Sequence, residues 1–199
     1  LRSVLLGTSR VERFVSYLEH PALTDVPVFV ADRAVMQGIV GFNLHRGVLA
    51  SAFRKPMPTV AELAATATRI AVLEALNDNE NVGAISRAAR AFGIDGIVIS
   101  PTCTDPYYRR TVRVSMGEVL HMPIARASAD DWPGALDTLH EAGFETWAMT
   151  PADNAVDLWA TAIPERLAIV LGAEGPGLER STLQRATRRV RIPISPDVD

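Results

Sequence analysis

The sequence predicts an α/β protein, a mostly parallel sheet covered by helices on both faces, preceded by a small α/β unit. Three observations predict it. From residue 69 onward, short apolar runs rich in branched residues alternate with amphipathic stretches. That is the pattern of strands buried on both faces and joined by crossover helices. The stretch Arg54-Lys55-Pro56-Met57-Pro58 interrupts the chain with two prolines that favour extended backbone. A hydrophobic content of 48% with 22% charged residues over 199 residues fits one large or two small soluble domains.

The elements follow in order. Val11, Phe14, Val15 and Leu18 fall at helical spacing within residues 9–20. Residues 26–30 read as a short buried strand, and Asp32 stands where it can cap a helix carrying Val35, Met36 and Ile39. Residues 47–50 read as another strand. This first unit spans residues 1–53 and is expected to lack its first strand. Residues 54–67 read as a linker in which Thr59 caps a helix through Val60, Leu63 and Ala64. The second unit spans residues 68–199. Strands are expected at 70–76, 96–99, 144–149, 167–171 and 189–193, with another beginning at Val119-Leu120. Helices are expected at 82–92, 133–142 and 178–187. A chain that starts with Leu1 and stops at Asp199 is expected to have lost residues at both ends.

Charge and rare residues exclude several classes. No apolar run reaches the ~18 residues of a membrane span, and the start shows no signal-peptide pattern. The net charge of −3 argues against indiscriminate polyanion binding and leaves room for a local basic patch. Lys55 is the only lysine, so nearly all positive charge is arginine, which suits paired hydrogen bonds to phosphate. Cys103 is the only cysteine, consistent with a reducing cytoplasm, and reads as a small buried side chain. His20, His45, His121 and His140 have no partners at metal-ligand spacing, so no metal site is expected. There is no GxSxG elbow for a serine nucleophile.

In open parallel sheets ligands gather at the carboxyl ends of the strands. Two turns there stand out. The first is Asn77-Asp78-Asn79-Glu80-Asn81-Val82-Gly83. Helix capping explains one such polar residue but not the whole cluster. Arg87 and Arg90 follow on the helix, and a helix start with nearby arginines is a natural anion site. The second is Gly172-Ala173-Glu174-Gly175-Pro176-Gly177-Leu178, whose glycines permit close ligand approach. It lacks the Lys-Ser/Thr of a P-loop and the GxGxxG of a dinucleotide site. A tight strand-to-helix turn would use the same residues. Arg109, Arg110 and Arg113 beside Tyr107 and Tyr108, and Arg185, Arg188, Arg189 and Arg191, form two basic groups. Arginine interleaved with aromatics suits RNA, although a solvated face accounts for any single arginine.

Residues 81–93, Asn81-Val82-Gly83-Ala84-Ile85-Ser86-Arg87-Ala88-Ala89-Arg90-Ala91-Phe92-Gly93, resemble the first motif of the SpoU (TrmH-like) methyltransferases of the SPOUT superfamily. Residues 172–178 resemble their second motif, Ile192-Pro193-Ile194 the opening of their third, and residues 113–117 a connecting stretch. Order and spacing agree over residues 68–199. Residues 1–53 more loosely resemble the RNA-binding domain that precedes the catalytic domain in many members, best at Leu44-His45-Arg46-Gly47-Val48-Leu49-Ala50. The chain departs from the family in stopping before the Ser-Leu-Asn triplet that continues the third motif. The missing part would complete the knot, the cofactor pocket and much of the dimer interface, and the piece as written is expected to be inactive.

The resemblance implies a trefoil-knotted methyltransferase domain, S-adenosylmethionine as cofactor and a cytoplasmic homodimer. The implied substrate is a ribose 2′-hydroxyl of structured RNA. Ribosomal RNA is favoured by the extra domain. Transfer RNA and a non-catalytic RNA-binding protein of the same fold are the alternatives. It implies Arg87, Asn81 and Glu174 as catalytic residues, and Leu171, Gly172, Gly177, Ile192, Pro193 and Ile194 around the cofactor. Arg90, Arg109, Arg110 and Arg113 are expected to contact RNA. The family residue matching Arg87 has been proposed as a base. Since a neutral guanidine is costly, Arg87 is better read as a donor that fixes phosphate and ribose.

Overall fold

A computed structural model describes residues 1–41, 44 and 46–194, which divide into two compact units at Pro56/Met57. His45, central to the loosest part of the family resemblance, lies outside the described residues.

In the first unit, strand β1 (Ser3–Gly7) leads through helix α1 (Val11–Leu18) to strand β2 (Val28–Ala31). Helix α2 (Arg33–Val40) and strand β3 (Val48–Ser51) follow. The sheet order is β2-β1-β3, with β1 parallel to β2 and antiparallel to β3. Alternation along β1 sends Val4 and Leu6 inward, where they are buried together with Met36 of α2. Asp32 caps α2 by accepting from the Val35 N–H at 2.9 Å, as its position before the apolar stretch predicts. Two expectations need correction. No strand is read before residue 9, yet β1 forms there and is the central strand. The stretch read as a buried strand at 26–30 is the edge strand β2, and Val28, Phe29 and Val30 are exposed. Apolar content alone does not distinguish an edge from a centre.

The second unit opens with helix α3 (Val60–Thr66), closed at its start by a capping box between Thr59 and Glu62. Expected as part of a linker at 54–67, α3 instead buries Val60, Leu63 and Ala64 in the core of this unit. Strand β4 (Arg69–Leu73), helix α4 (Asn79–Ala91), strand β5 (Gly96–Ile99), helix α5 (Arg109–Val114) and strand β6 (Ile124–Arg126) follow. Then come helix α6 (Ala135–Glu141), strands β7 (Glu145–Met149), β8 (Val156–Asp157) and β9 (Leu167–Leu171), helix α7 (Arg180–Arg185) and strand β10 (Arg188–Arg191).

Among the described residues these strands make a seven-stranded parallel sheet ordered β6-β5-β4-β9-β7-β10-β8. Alternation divides the core between its faces. Ile70 and Val72 of β4 pack with α3 and α6 through Leu63, Leu136 and Leu139, whereas Ala71 and Leu73 pack with Val82, Ala89, Ile97 and Ile99. This is the expected sheet covered on both faces. The chain winds outward through β4, β5 and β6, then returns to place β9 against the other side of β4. The winding therefore reverses between β4 and β9, where their carboxyl ends part.

Local differences have local causes. β4 ends at Leu73 rather than Leu76, because Ala75 takes a left-handed φ of 55°. Val119-Leu120 belongs to a 3-10 turn, Glu118–His121, launched by Gly117 at φ 90°, and the strand waits until Ile124. α7 is shorter than the expected 178–187, with Ala186 already extended. Cys103 is buried, and its thiol donates to the Leu73 carbonyl at 3.1 Å.

Candidate active site

The turn after β4 is built by separating polar residues that serve the fold from those that do not. Asp78 caps α4, accepting from the Glu80 N–H at 2.7 Å. Asn79 accepts from the hydroxyls of Thr104 at 3.0 Å and Thr111 at 2.9 Å, fixing α5 against α4. That docking needs the glycine of the first motif. A Cβ on Gly83 would stand 2.9 Å from both the Thr111 carbonyl oxygen and the Val114 Cβ. Glu80 pairs with Arg110, whose Nε lies 3.0 Å from its Oε1, and the bond holds the guanidinium pKa further above its usual value. Asn77 and Asn81 remain. Among the described residues their side chains make no hydrogen bond.

The turn after β9 is made of backbone. A Cβ on Gly172 would lie 2.3 Å from the Gly177 carbonyl carbon and 2.5 Å from the Leu178 nitrogen. No side chain fits between the two limbs of this turn. Gly177 donates its N–H to the Ala173 carbonyl at 2.9 Å, and Gly175 and Gly177 take φ of 85° and 69°. Folded back in this way, the turn leaves Glu174 exposed and without a partner among the described residues.

The two turns face each other across a cavity of about 270 Å³ lined by Leu76, Asn77, Asp78, Asn81, Ala173 and Glu174. Asn81 and Glu174, from distant motifs, thus share one cavity. Arg87 does not line it. It is exposed on α4 and without a partner among the described residues, six residues beyond Asn81 and roughly 9 Å further along the axis.

Of the residues assigned to the cofactor, Leu171 and Gly172 are half-buried and Gly177 is exposed. Ile192, Pro193 and Ile194 follow β10, and the two isoleucines are 54% and 63% exposed. Because the sheet is parallel, all six lie at its carboxyl edge, with β9 and β10 separated by β7 and hence roughly 10 Å apart. Of the arginines expected to contact RNA, Arg90 pairs with Glu118 at 3.4 Å and Arg110 with Glu80. Arg109 and Arg113 are exposed on α5. Surface ion pairs contribute only about 0–1 kcal/mol, so a phosphate can displace them.

Sequence reasoning missed Glu74. Its carboxylate is 1% exposed and accepts hydrogen bonds from Trp132, Thr182 and the Glu179 N–H. The available signal was a carboxylate inside an otherwise apolar strand run, since such groups are almost never buried unpaired. No group of His, Cys, Asp and Glu suited to hold a metal ion occurs among the described residues. No helix among them is long and apolar enough to cross a membrane.

Comparison with known families bears directly on residues 68–199, which match the SpoU rRNA Methylase family. The chain belongs to the SpoU rRNA methylase family. A relative in Mycobacterium tuberculosis, named "uncharacterized tRNA/rRNA methyltransferase", is 46% identical over 198 residues, 98% of this chain and 67% of its own length. The AdoMet-bound rRNA methyltransferase of Sinorhizobium meliloti superposes with a TM-score of 0.80 at 25% identity, over 100% of this chain and 73% of that one. The SpoU methyltransferase AviRb of Streptomyces viridochromogenes, solved with AdoMet, has a TM-score of 0.78 over 100% of this chain and 76% of its own. At 16% identity it shows the shared fold alone.

Proposed function

We propose that this SpoU protein transfers a methyl group from S-adenosylmethionine to a ribose 2′-hydroxyl of structured RNA, ribosomal RNA before transfer RNA. The observation that carries the reading is the meeting of Asn81 and Glu174 in one cavity at the β4/β9 switch point, with both side chains unused by the fold. Polar side chains that the fold leaves unpaired at such an edge are available to a ligand.

The residues present fit the cofactor. The β9 turn offers backbone groups able to pair with an adenine edge, and Leu171, Ile192 and Ile194 offer uncovered apolar surface on the same edge for its ring. When bound, S-adenosylmethionine supplies an electrophilic methyl group on a sulfonium. The protein's share is alignment of the attacking oxygen with that carbon and sulfur, and positioning of this kind supplies much of a rate. Arg87 donates to phosphate and ribose, Asn81 orients the hydroxyl, and Glu174 accepts from Asn81 or Arg87 as substrate draws them together. In the first unit, Thr8, Ser9, Arg10 and Arg33 line a separate cavity of about 280 Å³ suited to RNA phosphates. Arg90, Arg109, Arg110 and Arg113 extend the basic surface of the second unit. The same reading includes a trefoil knot around the cofactor turn, a homodimer and a cytoplasmic location.

The test is mass spectrometry of ribose methylation in separated ribosomal and transfer RNA from cells with and without the gene. One 2′-O-methyl nucleotide should vanish with the gene. In the full-length protein, Arg87→Ala should lower kcat by about 100-fold or more, as loss of a positioned donor does, with cofactor affinity kept within a few-fold. Wild-type turnover by that variant removes Arg87 from the mechanism.

A further inference from the structure

Glu74 has no part in the reaction just described, yet its placement is unusual. Its backbone N–H donates to the Leu171 carbonyl at 2.8 Å, where the glycine-rich turn begins. Its Oε2 accepts from the Glu179 N–H at 2.9 Å, where that turn ends and α7 starts. Its Oε1 accepts from the Trp132 indole N–H at 2.9 Å and from the Thr182 hydroxyl inside α7. The residue immediately after β4 therefore grips both ends of residues 172–178.

Two further observations separate this from an incidental buried carboxylate. The backbone next to it is strained, with Ala75 at φ 55° and its N–H held by the Ser100 hydroxyl at 2.9 Å. A left-handed alanine persists only where its surroundings hold it. The donors are also chemically distinct. An indole N–H and a backbone N–H can only donate, and they address different oxygens of the carboxylate. Only a group that accepts on both sides satisfies them.

We propose that Glu74 is a positioning residue for the cofactor turn. By holding the Leu171 carbonyl and the Glu179 amide at fixed separation, it keeps the backbone groups of residues 172–178 aimed at the ligand. The inference rests on reading that turn as the cofactor site.

Glu74→Gln tests it, because either orientation of the amide points an NH₂ at one obligate donor. In the full-length protein without cofactor, hydrogen exchange at the amides of residues 172–179 should quicken about tenfold, the worth of one lost net hydrogen bond. Calorimetric affinity for S-adenosylmethionine should fall by about the same factor. Thr182→Val, which removes one donor, should give roughly threefold changes in both. Leu63→Ala controls for general destabilisation, since Leu63 packs at the opposite sheet edge beside Gly96. It should lower the melting temperature while leaving the turn's exchange and the cofactor affinity unchanged. Wild-type exchange and affinity in Glu74→Gln, or equal loosening of the turn in Leu63→Ala, overturns the proposal. Should Glu74→Gln fail to fold, Thr182→Val against Leu63→Ala decides it. A wild-type protein that binds no S-adenosylmethionine would instead refute the reading of the site, and the exchange measurement would still judge the role of Glu74.

Discussion

Glu74 and Glu174 follow neighbouring strands of one sheet, at the same edge, and share almost nothing else. Glu74 is enclosed and accepts from three donors, whereas Glu174 is exposed and accepts from none among the described residues. Asn79 and Asn81 repeat the contrast two residues apart. Asn79 takes hydroxyl bonds from two threonines, and Asn81 takes none among the described residues. Residue type does not separate groups that build the site from groups that the fold leaves unpaired beside it. The separation comes from which distant segment the topology brings within reach.

The sharpest way to break this comparison is to fill the space between the limbs of the β9 turn. Gly172→Ala puts a carbon 2.3 Å from the Gly177 carbonyl carbon, against backbone that cannot rotate away. The turn must open, at a cost of about 3 kcal/mol, the upper end for overpacking. If the turn holds the cofactor, S-adenosylmethionine affinity should fall by about 100-fold. Calorimetry showing wild-type affinity in a folded Gly172→Ala protein would move the cofactor elsewhere.

A smaller effect should separate builders from workers. Asn79→Ala loses two partly buried hydrogen bonds and should cost about 1–2 kcal/mol of stability, with kcat little changed once the protein is folded. Asn81→Ala and Glu174→Gln remove groups that the fold leaves unpaired, so their stability should stay within about 0.5 kcal/mol. Their kcat on RNA should fall by about 10- to 100-fold if they position the substrate. Denaturant melts and single-turnover kinetics on the three proteins would reveal a reversal of this order.

The same contrast explains what the sequence made legible. Strands such as Leu167–Leu171, buried between two layers, announce themselves as continuous apolar runs. β1 escapes because its buried pair, Val4 and Leu6, sits in a five-residue strand too short to establish a period. Val119-Leu120 mimics a strand because Val119 is wholly buried, although it is buried from a 3-10 turn. Asn81 and Glu174 could be picked out from motif spacing, and so could the turns that carry them. That Asn79 and Glu80 belong to the fold could not, since Thr104, Arg110 and Thr111 arrive with α5 and the loop before it. Glu74 was least legible of all, because its carboxylate is satisfied from 58, 105 and 108 residues away.

Asp95 offers the gentlest test, as an exposed carboxylate that is nevertheless engaged by the fold. It lies just before β5, at the amino edge of the sheet. Its Oδ2 accepts from the Thr68 N–H at 2.7 Å, the Thr68 hydroxyl at 3.0 Å and the Arg69 N–H at 2.8 Å. Partial burial raises its pKa, but those donors and the nearby Arg69 guanidinium outweigh that and leave it below the ordinary aspartate value. The native carboxyl therefore ionises more readily than the unfolded one. Its contribution is complete above the unfolded value of about 3.9 and disappears as pH falls through the native value. Asp95→Asn keeps one acceptor and loses the charge, so it should cost under about 1 kcal/mol near neutral pH. The gap to wild type should close on acidification below about pH 4. A gap that stayed constant down to pH 2 would mean that the Asp95 charge does nothing for the fold. Asp95 would then rank with Glu174, and engagement by backbone donors would cease to identify a builder.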